Sequence, residues 1–120
     1  MAHVLLADDD AATRDLVRRA LTGDGHVVAT ASDGQEALEL ALGTAQPFDI
    51  VVTDVQMPVI DGISLAEQLL ARTPALRVIL MSGLQSEMAR ANRLKGANVR
   101  FLMKPFSLDA IRTEIRVALR

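Results

Sequence analysis

Short β-branched runs alternate along the chain with longer stretches whose apolar residues fall three or four apart, and turn-forming residues mark the changes. The pattern predicts strands over 3–7, 26–30, 48–53, 77–81 and 99–103, and helices over 11–22, 34–43, 62–72, 85–95 and 107–119. Gly23 and Gly25 close the first helix, Gly43 the second and Gly96 the fourth, while Pro74 follows the third. In the last helix Ser107 is placed as the N-cap. Leu108, Ile111, Ile115 and Leu119 then form one apolar stripe, and Asp109, Arg112 and Arg116 occupy the rest of the surface.

Five β–α repeats require crossover connections, and right-handed crossovers give a parallel sheet covered by helices on both faces. The runs 50–52 and 78–81 carry no polar residue, which suits the doubly buried middle of such a sheet. A closed barrel of eight repeats needs about twice this length, so an open, doubly wound α/β sandwich is expected. All 120 residues are expected to form one domain, half of them hydrophobic, large enough to bury roughly two-thirds of the unfolded surface.

Charge narrows the set of partners. Thirteen basic and fifteen acidic residues leave a net charge of -2, and no basic stripe offers the surface that nucleic acid needs, so direct nucleic acid contact is not expected. The absence of cysteine removes disulfides, thiolate nucleophiles and Cys-based metal sites. No apolar run reaches the ~20 residues that span a bilayer, so no membrane partner is expected. The N-terminus runs straight into a strand and then charges, unlike a secretory leader, and a cytoplasmic location is expected.

Candidate chemistry sits at the ends of the strands. Val4-Leu5-Leu6-Ala7 stops at Asp8-Asp9-Asp10, the third strand stops at Asp54, Val78-Ile79-Leu80-Met81 stops at Ser82-Gly83, and the fifth stops at Lys104-Pro105. Open α/β sheets place their sites at this carboxyl edge. Three clustered carboxylates cannot all stay ionised unaided: either a proton raises one pKa, or a hard divalent cation such as Mg²⁺ neutralises them. Blander readings stay open for each residue. Asp8, Asp9 and Asp10 can simply favour the start of the following helix, Lys104 can face solvent, and Ser82 can be a turn residue.

Taken together, Asp8-Asp9, Asp54-Val55-Gln56-Met57-Pro58 with Asp61-Gly62, Ser82 and Lys104-Pro105-Phe106 give the chain a pattern that resembles the receiver domain of two-component response regulators over its whole length. The resemblance implies a flavodoxin-like, CheY-like (βα)5 three-layer fold with strand order 2-1-3-4-5. It further implies that Asp54 accepts a phosphoryl group from a phosphohistidine on a sensor histidine kinase or histidine phosphotransferase. Asp9, Asp54 and the carbonyl of Gln56 would bind Mg²⁺ directly, and Asp8 mainly through water. Lys104 and Ser82 would contact the phosphoryl oxygens, and Phe101 takes the switch-aromatic position, pointing outward or mixing rotamers until Ser82 moves. The fourth helix, fifth strand and fifth helix would then present a changed surface to a downstream protein, with a phosphorylation-dependent homodimer through the fourth and fifth helices as one outcome. Arg90, Arg93, Lys95, Asp109, Arg112 and Arg116 supply mixed charge there.

One departure from the family's pattern lies in Gly96-Ala97-Asn98-Val99-Arg100-Phe101, one residue longer than in most receivers, which predicts a longer connection or a bulge before Phe101. Gln56 and Leu84 stand where the family tunes dephosphorylation, and Leu84 cannot orient a water. The opening acids and the Lys-Pro-Phe-Ser-Leu tail also resemble single-domain receivers of the CpdR type, so either a stand-alone receiver or one cut from a longer protein is expected. Such a protein is a signalling switch that catalyses only its own phosphorylation and dephosphorylation. Two alternatives are a haloacid-dehalogenase-like phosphatase, which wants an acid where Gln56 stands, and a constitutive receiver-like adaptor.

Overall fold

In the computed structural model, which describes residues 2–94 and 98–120, five strands and five helices alternate along the chain. The strands are β1 (His3–Ala7), β2 (Val27–Ala31), β3 (Ile50–Asp54), β4 (Arg77–Ser82) and β5 (Val99–Met103). The helices are α1 (Ala11–Gly23), α2 (Gly34–Gly43), α3 (Gly62–Arg72), α4 (Gln85–Ala91) and α5 (Leu108–Ala118). All neighbouring strands are parallel and run in the order β2-β1-β3-β4-β5. This is the doubly wound, flavodoxin-like sandwich that the repeats and the resemblance imply.

Side chains alternate across the pleat, so each central strand feeds two cores. Leu5, Val51, Val78 and Leu80 join Ala37, Leu65, Leu69 and Ala91 on the α2, α3 and α4 side. Val4, Leu6, Ile50, Val52, Ile79 and Met81 join Val17, Leu21, Ile111 and Ile115 on the α1 and α5 side. Both polar-free runs lie fully buried between these layers. Ile111 and Ile115 carry the predicted stripe of α5 into the core, with Leu108 and Leu119 packed at its margin. Ser107 caps that helix by accepting from the amide of Ala110.

The boundaries shift where a residue finds a better partner. β2 starts at Val27 because His26 is spent elsewhere, its amide donating to Leu21 and its Nδ1 accepting from the amide of Ala2. β3 starts two residues late and takes in Asp54, since Phe48 leaves the ladder to stack on His3 with ring centroids 4.1 Å apart. The first helix closes through Gly25, whose φ of 90° suits a residue without Cβ, whereas Gly23 and Gly43 are themselves the last helical residues. α4 ends at Ala91 and tightens into a 3-10 turn over Asn92–Leu94, shorter than predicted. The stop at Gly96 and the extra residue near Ala97 lie outside the described residues. Within them β5 begins at Val99 and pairs with β4 without a bulge through Met103.

Charges on α4 and α5 are largely engaged within the chain. Arg90 meets Asp61 at 3.0 Å, Arg93 meets Glu67 at 2.6 Å, and Arg112 meets Asp24 at 3.4 Å and Asp109 at 3.6 Å. Arg116 donates to the hydroxyl of Thr113, and Lys95 lies outside the described residues.

Candidate functional site

Parallel strands end on the same side, so the residues that follow β1, β3, β4 and β5 share one edge. The three acids after β1 divide their work. Asp10 caps α1, accepting from the amide and hydroxyl of Thr13. Asp8 is fully buried: its Oδ1 accepts from the amide of Asp10 at 2.9 Å, while its Oδ2 has no hydrogen-bond partner among the described residues. Arg14 of α1 fastens this turn by donating to the Asp8 carbonyl at 2.8 Å.

Asp54, only 7% exposed, closes β3 opposite Met81. The loop behind it folds back tightly, with the amide of Gly62 donating to the carbonyl of Val55 at 2.8 Å. A Cβ on Gly62 would lie 2.1 Å from the carbonyl oxygen of Asp54, so only glycine fits. One carboxylate oxygen each from Asp8, Asp9 and Asp54 lies within 4.8 Å of the others, with Asp9 exposed. Lys104, positioned by its amide's 2.7 Å bond to the Ser82 carbonyl, brings Nζ to 2.9 Å from Asp54 Oδ2 and 3.5 Å from Asp8 Oδ2. Gln56 is exposed and donates its amide to Asp54 Oδ1 at 3.4 Å.

The electrostatics follow from this crowding. Burial pushes the Asp54 carboxyl above its ordinary pKa, and the charge of Asp8 adds to the push, while Lys104 pulls the other way and does not win. Burial also opposes the charge on Lys104, but Asp54 and Asp8 outweigh it and hold the ammonium above the usual lysine value. The cluster is two buried acids and one exposed acid with a single lysine among them. It has room for more positive charge.

Ser82 is fully buried, and its hydroxyl is engaged by Leu84 and Glu87 and not by this cluster. Its hydroxyl lies 2.5 Å from Glu87 Oε1 and 3.1 Å from the Leu84 carbonyl, and it accepts from the amide of Leu84 at 3.1 Å. Phe101 pairs with Leu80 across the β4–β5 ladder and is half-buried, packed against the core on the α4 side. Sequence reasoning missed Glu87 and Arg14. Glu87 had a signal: Leu84 offers α4 no capping side chain, and an acid stands three residues on, as in a capping box without its hydroxyl. Arg14 had none, because a charge on an exposed helix is the ordinary case.

Residues 4–116 match the response regulator receiver domain family. The chain belongs to that family. The match starts within β1 and ends within α5, so it takes in all or part of every strand and helix of the sandwich. The response regulator MprA of Mycolicibacterium vanbaalenii is 36% identical over 118 residues, 98% of this chain and 50% of that protein. MprA of Mycobacterium leprae is likewise 36% identical, over 51% of its length. The receiver spans about half the length of the curated relatives it matches. Among solved structures, the receiver domain of the Francisella response regulator 1452 is 29% identical with a TM-score of 0.83, covering 99% of this chain and 97% of that one. The Thermotoga maritima response regulator TrrA, solved in complex with Mg²⁺-BeF, shares the fold at 23% identity, with a TM-score of 0.87 and coverage of 99% and 100%.

Proposed function

We propose that residues 1–120 form one receiver that takes a phosphoryl group onto Asp54 from a phosphohistidine of a sensor histidine kinase or phosphotransferase in the cytoplasm. The observation that carries this reading is the clustering of Asp8, Asp9, Asp54 and Lys104 at the carboxyl edge of the sheet. An Asp54 oxygen attacks phosphorus, the P–N bond breaks, and its electron pair leaves with the imidazole, which is then protonated. Lys104 stands where it can follow the charge from carboxylate to phosphoryl oxygen.

The residues fit a Mg²⁺ ion. They are hard oxygen donors, and the buried Asp8 Oδ2 has no hydrogen-bond partner among the described residues, only Lys104 Nζ at 3.5 Å. Asp9 and Asp54 would hold the ion directly with the carbonyl of Gln56, and Asp8 through water. When bound, Mg²⁺ supplies charge that neutralises the carboxylates and the incoming phosphoryl oxygens. Ser82 would leave its α4 partners to donate to a phosphoryl oxygen, and Phe101 would follow into the space. The α4–β5–α5 face then changes for a downstream protein, and a phosphorylation-dependent homodimer is one such use. The unphosphorylated form is expected to be a monomer, since Arg90, Arg93 and Arg112 are already paired with acids of the same chain.

Gln56 leaves the phosphatase reading without its second acid. Intact-mass measurement after incubation with Mg²⁺ and acetyl phosphate separates the readings. A gain of one phosphoryl group that is lost in Asp54→Asn supports the switch. Steady phosphate release from generic esters would support a phosphatase, and no gain at all a constitutive adaptor.

A further inference from the structure

We infer that Glu87 is a positioning residue that holds Ser82 in its unphosphorylated orientation and competes with the phosphoryl group for the serine's hydroxyl proton. The inference rests on the reading of Asp54 as the phosphoacceptor. A serine hydroxyl has one proton to donate. Here two acceptors lie in reach, Glu87 Oε1 at 2.5 Å and the Leu84 carbonyl at 3.1 Å. The nearer is also the charged one, and a charged acceptor takes the proton in preference to a neutral carbonyl. The hydroxyl that must serve a phosphoryl oxygen is therefore already committed to an anion on α4.

The same bond ties Ser82 to the start of α4. Leu84 occupies the N-cap without a side chain able to cap, and Glu87, the third residue of the helix, reaches back past it to Ser82. When Ser82 turns toward Asp54, the first turn of α4 loses this tie in the same step. Glu87 thus sets how strongly the free receiver resists the switch, and it passes the change directly into α4. Ser82 itself is fully buried at the end of β4, so its hydroxyl must take its partners from within the protein and not from solvent.

Fluorine NMR titration of the full chain with beryllofluoride and Mg²⁺ tests this in the wild type, Glu87→Ala, Glu87→Gln, Ser82→Ala and the Ser82→Ala/Glu87→Ala pair. Removing a charge-assisted competitor that is partly exposed is expected to tighten beryllofluoride binding about fivefold or more in Glu87→Ala, with Glu87→Gln in between. The gain is expected to vanish in the Ser82→Ala background, because the competition needs the hydroxyl. Equal or weaker binding in Glu87→Ala would overturn the inference, as would a gain that persists without the hydroxyl, which would mark simple relief of negative charge. Wild type that binds no beryllofluoride would instead overturn the reading of Asp54. Hydrogen exchange without beryllofluoride gives a readout independent of that reading. Faster exchange in the first turn of α4 is expected in Ser82→Ala and Glu87→Ala alike, and unchanged exchange in both would overturn the tie.

Discussion

Along the one carboxyl edge, the ends of β1, β3 and β5 bring Asp8, Asp9, Asp54 and Lys104 together, whereas the end of β4 commits Ser82 to Glu87 and Leu84 on α4. The first half is assembled in advance and carries electrostatic tension. The second is satisfied as it stands, with each bond of the Ser82 hydroxyl made to Leu84 or Glu87 and none to the Asp8, Asp9 and Asp54 cluster. On the proposed function, the difference is that of a switch ready but off: Asp54 and Lys104 already stand together, while the Ser82 hydroxyl would have to change partners before Phe101 and the α4–β5–α5 face follow. A population shift from 1:99 to 99:1 takes about 5.5 kcal/mol of preference, and a phosphoryl dianion with charge-assisted bonds can supply it.

The assembled half is the easier to break. Lys104→Ala is expected to slow phosphorylation by acetyl phosphate about a hundredfold or more, as when other preorganised charge stabilisers are removed. It also leaves two buried carboxylates without their cation, costing about 2–3 kcal/mol in urea unfolding without Mg²⁺ and less with it. If Lys104→Ala unfolds at the wild-type midpoint, the tension ascribed to that half is absent.

Gly62→Ala attacks the same half through its backbone. The added Cβ would meet the Asp54 carbonyl oxygen, so a loss of about 2–4 kcal/mol is expected, together with slower phosphorylation from a displaced strand end. Urea midpoints and intact-mass kinetics measure both.

The pH dependence sharpens the contrast with a smaller effect. Because burial raises the Asp54 pKa, the folded chain binds that proton more tightly than the unfolded one. Asp54's contribution is complete below the ordinary carboxylate pKa of about 3.9 and is lost as pH rises through its higher folded value. Asp54→Asn is therefore expected to gain stability relative to wild type as pH is raised from acid to neutral. A difference that stays flat across that range, by urea unfolding, would remove burial as the cause.

The smallest effect belongs outside both halves. Arg100 and Glu114 join β5 to α5 at 2.5 Å in a partly exposed pair. Arg100→Ala should cost about 1 kcal/mol or less and leave phosphorylation unchanged. A larger loss would mean that this face is more tightly tied to the acids than the geometry supports.

What the sequence made legible follows the same division. The acids and Lys104 lie immediately past short apolar runs, so strand prediction alone brings them to one edge, and the motif around Met57-Pro58 and Pro105-Phe106 does the rest. Asp8, Asp9 and Asp10 could each serve the start of the following helix by sequence, and the geometry of Thr13 gives that task to Asp10. The commitment of Ser82 was only half legible: the uncapped start of α4 marks Glu87, but its pairing with a serine five residues back, across a turn, has no periodic signature. Gly34 was likewise silent: its need for no side chain arises from Ile60, whose carbonyl oxygen would sit 1.9 Å from a Cβ there. Such contacts are set by how elements meet, and local pattern does not encode them.

Amide NMR of the wild-type chain, titrated first with Mg²⁺ and then with beryllofluoride, tests the two-half account most directly. The account predicts that Mg²⁺ alone moves resonances around Asp8, Asp9 and Asp54, while those of Ser82, Leu84 and Glu87 move only when beryllofluoride follows. Movement of Ser82 and Glu87 to their final positions with Mg²⁺ alone, or no response of the acids to Mg²⁺, would contradict it.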